Sequence, residues 1–231
     1  MIFEVCTDSV EGTILAKQYG AKRVELCSAL SVGGLTPSIS LVEECVQIRG
    51  VEVHAMIRHT EGWFVYTPSD ISIMRKDIEH LAKTGVHGVV FGCLTNENTI
   101  NYEQNEYLLN IARNLGLEVT FHRAFDFVNN PFKALEQLID LGFDRLLTSG
   151  QKPTAIEGIN LIDDLVKKSN GRIQIMAGSG VNPDNAKTLA HVGVNALHFT
   201  SHRYVDEKEQ LGMGQRTYPD EQKISRIVNQ F

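Results

Sequence analysis

The chain has 231 residues, 42% hydrophobic and 22% charged, the balance of a globular protein able to bury a sizeable core. Its net charge of −6 excludes broad attachment to nucleic acid or an anionic membrane, since both require a basic surface. The first residues, MIFEVCTDSV, lack the basic segment and long apolar core of a signal peptide, and no run of about 18 apolar residues follows, so a cytoplasmic location is expected.

Length alone allows one large domain or two small ones. In chain order, the strand-like runs are IFEVC from Ile2, RVELC from Arg23, VEVHAMIR from Val51, HGVVFG from His87, LEVTFHR from Leu117, FDRLLTS from Phe143, RIQIMAG from Arg172 and NALHFTS from Asn195. Helical patterns separate them, the last being DEQKISRIVNQF, and no linker interrupts the alternation. Ser40-x-x-Glu43, Thr154-x-x-Glu157 and, more weakly, Asp8-x-x-Glu11 read as capping boxes, while Asn130-Pro131 and Asn182-Pro183 place a cap before a first-turn proline. Gly20, Gly50, Gly85, Gly116, Gly142, Gly171 and Gly193 stand where helices should stop in the left-handed conformation. Eight such units predict an α/β fold, a single-domain (β/α)8 TIM barrel over residues 1–231. A doubly wound open sheet is the alternative, but its G-x-G-x-x-G turn is replaced after the first strand by CTDSVEG.

Strand side chains alternate between faces, so parity divides them. Phe3, Val5, Val24, Leu26, Val53, Ala55, Ile57, Val119, Phe121, Ile173, Ile175, Ala177, Leu197 and Phe199 form an apolar set expected beneath the helices. The opposite set points Glu4, Cys6, Glu25, Cys27, His54, Met56, Arg58, Thr120, His122, Gln174, Met176, His198 and Thr200 at the barrel axis; the sixth strand is ambiguous. Ionic groups there must pair, stay wet or bind something, because an unpaired buried charge costs several kcal/mol. They either form a network that fixes the barrel's register or a site, and their position toward strand C-termini favours a site.

The loops add further candidates. RHTEGWFVYT, after the third strand, carries the sole tryptophan and could lid the mouth or pack on neighbouring loops. HRAFD places Arg123 and Asp126 at the rim. In AGSGVNPDN, Gly178, Ser179 and Gly180 could offer backbone N–H groups to phosphate or another anion, or serve only as a tight turn.

Four cysteines without a Cys-x-x-Cys pair are too few for a disulfide framework and are expected as thiols. Cys45 and Cys93 read as small core hydrophobes. Cys6 and Cys27, at the ends of adjacent strands about 4.8 Å apart, could hold a soft ion such as Cu(I). Glu4 and Glu25, one layer lower, should perturb each other's ionisation as an acid/base pair does.

The segments EVC.DS, RVELC, GGLTPS, VHAMIR, FVY, GVVFGCLT, VTFHRAFD, LLTSGQ, ALEQLIDLGFDR and GRIQIMAGSGV together resemble the CutC family, described as copper-homeostasis proteins, from Met1 to about Thr200. The resemblance implies a cytoplasmic (β/α)8 barrel that forms homo-oligomers, dimeric or tetrameric, with Cys6 and Cys27 as proposed copper ligands. This chain departs from the family pattern where His59, Thr60, Glu61 and Trp63 replace much of RPRGGDF, where Ala177 replaces a proline, and in the tail after Thr200. Two functions follow as expectations. One is Cu(I) binding in copper homeostasis through Cys6 and Cys27. The alternative is a lyase, isomerase or hydrolase acting on a small anionic or phosphorylated polyol. In it Glu4 and Glu25 are acid/base groups, His54, His122 and His198 carry protons or donate to substrate, Arg58 and Arg123 clamp an anion, and Asp126 stands at the rim. A catalytically inert scaffold is a third reading. Either functional reading calls for a small-molecule or metal ligand and neither for nucleic acid or membrane.

Overall fold

The structure, a computed structural model, describes residues 1–204 and 217–231. Its strands are β1 (Ile2–Thr7), β2 (Arg23–Leu26), β3 (Glu52–Met56), β4 (Gly88–Phe91), β5 (Glu118–Phe121), β6 (Arg145–Thr148), β7 (Gln174–Gly178) and β8 (Ala196–Thr200). They close in sequence order into a parallel barrel, with β8 pairing back onto β1. The helices are α1 (Val10–Gln18), α2 (Ile39–Val46), α3 (Pro68–Ala82), α4 (Tyr102–Asn114), α5 (Pro131–Leu141), α6 (Ile159–Ser169), α7 (Ala186–His191) and α8 (Glu221–Val228). An antiparallel pair, β9 (His202–Tyr204) and β10 (Thr217–Pro219), stands between β8 and α8. The predicted (β/α)8 barrel is therefore the fold observed. Of the tail that matched no family pattern, residues 205–216 lie outside the described residues.

The apolar face of each strand packs outward under the helices. Val5, Val24, Leu26, Val53, Val119, Ile175 and Leu197 are fully buried there with Val42, Met74, Leu108, Leu135 and Leu165 from the helix ring. Each such side chain contributes about 1.5–3 kcal/mol by leaving water. All seven glycines expected to end helices have positive φ, as at Gly142 with φ 90° behind α5, where an L side chain would be strained.

Helix starts differ in part from the sequence reading. Asn130 caps α5 as expected, its side chain accepting from Lys133 N–H, with Pro131 next. α2 is capped by Ser38 rather than Ser40, and α1 by Ser9 rather than Asp8. Thr154 and Glu157 bond to each other in a turn before α6, and Asn182 accepts from Asp184 N–H in a turn before α7, so neither is a helix cap. Among the described residues, a capping box is formed instead by Thr67 with Asp70, opening α3. Serine and asparagine bond local backbone equally well in turns and caps, so spacing alone misplaces them.

Two offsets in strand pairing position the site. Across β1 and β2, Glu4 stands opposite Arg23 and Cys6 opposite Glu25. Across β1 and β8, Glu4 stands opposite His198 and Cys6 opposite Thr200. Glu25 is consequently level with Cys6 in the strand register and not with Glu4, contrary to the layer assignment from parity, yet its carboxyl still comes within 4.8 Å of Glu4 and the Glu4 charge helps raise it, as expected of an interacting pair. Parity selects a face, but barrel shear sets height.

Candidate functional site: a thiol and carboxyl centre beneath an open cavity

The axis is built in tiers. At the amino ends of the strands lies an ionic floor, where Arg23 donates from Nε to Glu4 and its Nη1 stands 3.5 Å from Glu52. On the opposite wall Arg145 donates to Glu118 at 2.6 Å and to Thr120 at 3.1 Å, and its Nη2 is 3.4 Å from His54 Nδ1. His54 Nε2 is 3.7 Å from Glu118. Burial among arginines pushes His54 well below the ordinary imidazole range, so it is neutral. Glu52, His54 and Glu118 are close enough to hold a cation, but Arg23 and Arg145 already occupy that acidic group. Arg23 and Arg145 were absent from the sequence-derived set, although parity from Glu25 places Arg23 on the same face. A residue at a strand's first position reads as solvent-exposed until the barrel closes around it.

Above the floor, His198 links two carboxyl groups. Its Nδ1 is 2.9 Å from Glu4 Oε1 and its Nε2 is 3.6 Å from Glu25 Oε2. Burial alone would raise Glu4, but the His198 hydrogen bond and the Arg23 charge outweigh it and hold that carboxyl well below the usual range. Burial would likewise depress His198, yet Glu25, Cys6 and the hydrogen-bonded Glu4 raise it well above the imidazole range, which makes it a cation. Glu25 goes the other way: burial, then the negative charge of Cys6, push it well up, and its Oε1 has no hydrogen-bond partner.

Cys6 and Cys27 meet beside this group. Their sulfurs are 4.0 Å apart, and Cys27 Sγ is 3.6 Å from Glu25 Oε2. The hydrogen bond from Cys27 and, against burial, that from His198 bring Cys6 down to about 5, while the same interaction and burial raise Cys27 well up. One thiol thus retains the proton and the other is a thiolate. Gly34, at φ 90°, folds over the pair: a methyl group there would lie 3.0 Å from Cys27 Sγ. Cys45 and Cys93 are buried elsewhere, Cys45 accepting from Thr13, and both are raised by burial.

A cavity of about 660 Å³ opens above these groups at the carboxyl ends of the strands. Cys6, Glu25, Met56 and His198 border its lower part, and Arg58, His122, Arg123, Ser179, Gly180 and Lys223 its walls and mouth. Trp63, Phe64 and Phe127 form an aromatic side, with Phe127 5.5 Å from Trp63 and 5.7 Å from Phe64 between ring centres. The loop after β3 thus does stand at the mouth, although Trp63 is 68% exposed.

Of the residues singled out from sequence, Glu4, His54, Asp126, Gly178 and Cys27 do not border the cavity. Glu4 and His54 are set too low. Asp126 instead anchors the loop after β6, accepting from Thr148 at 2.6 Å and from the Ser149 and Gln151 N–H groups, while Arg123 pairs with it at 2.8 Å. Gly178 is needed for packing, since a Cβ there would meet Leu147 at 2.5 Å. Arg58 binds three loop carbonyls, Val32 and Gly34 through Nη1 and Gly62 through Nη2.

Fold and centre together define a parallel (β/α)8 barrel with a reduced-thiol, carboxyl and imidazole group at the base of an open mouth. The chain belongs to the CutC family, whose model matches residues 1–203. It is 46% identical over 202 residues to a CutC family protein of Glaesserella parasuis, covering 87% of this chain and 82% of that one. A CutC family protein of Pasteurella multocida is 45% identical over 206 residues, covering 88% and 83%. Among solved structures, one from Streptococcus agalactiae described as a copper homeostasis protein CutC superposes with a TM-score of 0.81 at 35% identity, over 86% of this chain and 98% of that one.

Proposed function

We propose that this protein binds Cu(I) as cargo in copper homeostasis, with Cys6 and Cys27 as ligands and Glu25 beside them. The observation that carries the reading is the 4.0 Å approach of two unbridged sulfurs, with a carboxyl oxygen 3.6 Å from one of them. Two metal–sulfur bonds of about 2.3 Å, a typical thiolate length, reach across that gap to one ion. Soft thiolates favour Cu(I) over hard divalent ions. Cys6 supplies a thiolate without further change, and Cys27 gives up its proton when the ion enters, so binding strengthens as pH rises. Four free cysteines, with two this close and unbridged, support a reducing, cytoplasmic setting. No helix among the described residues is long and apolar enough to cross a membrane.

The test is an anaerobic competition titration with a Cu(I) chelator. Wild type should bind one equivalent, and Cys6→Ser/Cys27→Ser should lose it. Equal stoichiometry and affinity in the two proteins would refute the assignment.

A further inference from the structure

The cavity is far larger than one ion needs and lies in the range of small-molecule pockets. Its charges are not balanced internally. Arg58 is buried, bonded to backbone carbonyls and in side-chain contact with the Tyr66 hydroxyl, and its guanidinium stands 5.1 Å over the Phe64 ring, with no carboxylate in ion-pair contact among the described residues. Lys223, at the start of α8, is half-buried and likewise has no ion pair among the described residues. Arg123 spends Nε on Asp126 and Nη2 on Ser149, which leaves Nη1 for something else. A buried cation without a partner is costly, and a chain whose net charge is −6 has spare carboxylates it could have placed here.

Three bordering residues also carry buried polar atoms without any hydrogen-bond partner: His122 Nε2, Arg58 Nε and Glu25 Oε1. His122 Nδ1 accepts from Ala124 N–H at 3.3 Å, so the ring's proton resides on Nε2, as a donor with no acceptor. The unpartnered His122 donor and unpaired cations on one side, with a wall of Trp63, Phe64 and Phe127 on the other, describe a complementary shape. We infer that the cavity binds a small organic anion, with a carboxylate or phosphate head held by Lys223, Arg123 and the His122 N–H, and a flat body against the aromatic wall. This reading stands apart from the copper assignment, because none of these head-group contacts is a thiol.

The sole tryptophan, Trp63, borders the cavity and is a built-in reporter. The experiment titrates the metal-free full chain, in the presence of a chelator, with phenyl phosphate, benzoate, benzyl alcohol and inorganic phosphate, following tryptophan emission with calorimetry in parallel. Saturable binding of phenyl phosphate or benzoate is expected, and whichever binds tighter identifies the head group. Benzyl alcohol, lacking the charge, should bind at least about tenfold more weakly, and Lys223→Gln and Arg123→Gln should each weaken the anion by about tenfold, the scale of one charge-assisted hydrogen bond. Inorganic phosphate alone should bind more weakly than phenyl phosphate. No saturation with either aromatic anion by both methods, equal binding of the neutral alcohol, or unchanged affinity in both variants would overturn the inference. Because no copper is present, the result is independent of whether the thiols bind it.

Discussion

Replacing Arg23 by methionine isolates what the ionic floor contributes. Arg23 and Glu4 are both fully buried and bonded through Nε and Oε2, while His198 retains Glu4 Oε1 at 2.9 Å. Arg23→Met leaves one oxygen of an ionised carboxylate without a donor inside the barrel, at a cost of about 3–5 kcal/mol. Glu4→Gln/Arg23→Met removes the charge along with Arg23 and lets His198 give up its proton, so its loss should be smaller than that of Arg23→Met alone. By contrast, removing the exposed pair Lys167–Asp163 on α6 should leave the unfolding curve essentially unchanged. The pH dependence follows from the sign of the Glu4 shift. Its carboxyl is held below the usual range in the folded protein, so its contribution is complete above the unfolded glutamate value and declines as pH falls toward the folded one. Losing Arg23 removes part of that depression, so the deficit of Arg23→Met should hold steady near neutrality and narrow as pH falls below about 4.5. Urea unfolding of wild type, both single variants and the double variant at several pH values measures all of this. Additive losses in the cycle, or a deficit unchanged by acid, would refute the view that Arg23 compensates a buried charge.

The metal-free protein should react with iodoacetamide first at Cys6, which borders the cavity and is a thiolate near neutrality, while Cys45 and Cys93, raised by burial, stay unlabelled; peptide mapping reads the order. Arg58→Met removes three bonds from a guanidinium to loop carbonyls and should lower stability by about 2–4 kcal/mol, with faster proteolysis in 29–36 and 60–64. Gly88→Ala puts a methyl 2.5 Å from the His54 ring and 2.7 Å from Glu118 O, and should destabilise by about 3 kcal/mol or more in thermal unfolding.

The barrel was legible because its evidence is repetitive. Each glycine stop and each apolar face is a local feature, and Gly20 through Gly193 recur in phase with the strands. Parity also placed Cys6, Glu25, His122 and His198 on the correct face, since alternation along a strand is a two-valued question. Height along the axis was not legible. It depends on register between strands, which put Cys6 level with Glu25 and lowered Glu4 to Arg23. The same limit hid the split between His54, locked into the floor by Arg145 and Glu118, and His122, which borders the cavity. Arg58 looked like an anion clamp, yet three of its bonds go to carbonyls of loops whose positions no local pattern specifies. Lys223 gave no signal at all, because the cavity reaches it only once α8 closes the ring.

The ionic floor has a consequence for traffic. Glu4, Arg23, His54 and Arg145 occupy the axis below the cavity, and Leu147, Met176 and Ala196 pack together with Ile2 beside them. Among the described residues these side chains close the lower end of the chamber, so entry and exit share the mouth. An ion seated at Cys6 and Cys27 has to arrive before any molecule that fills the space between Trp63 and Lys223, and it can depart only after that molecule has gone. Were both proposed ligands bound, their occupancy would be ordered by architecture, last in and first out, without any moving part.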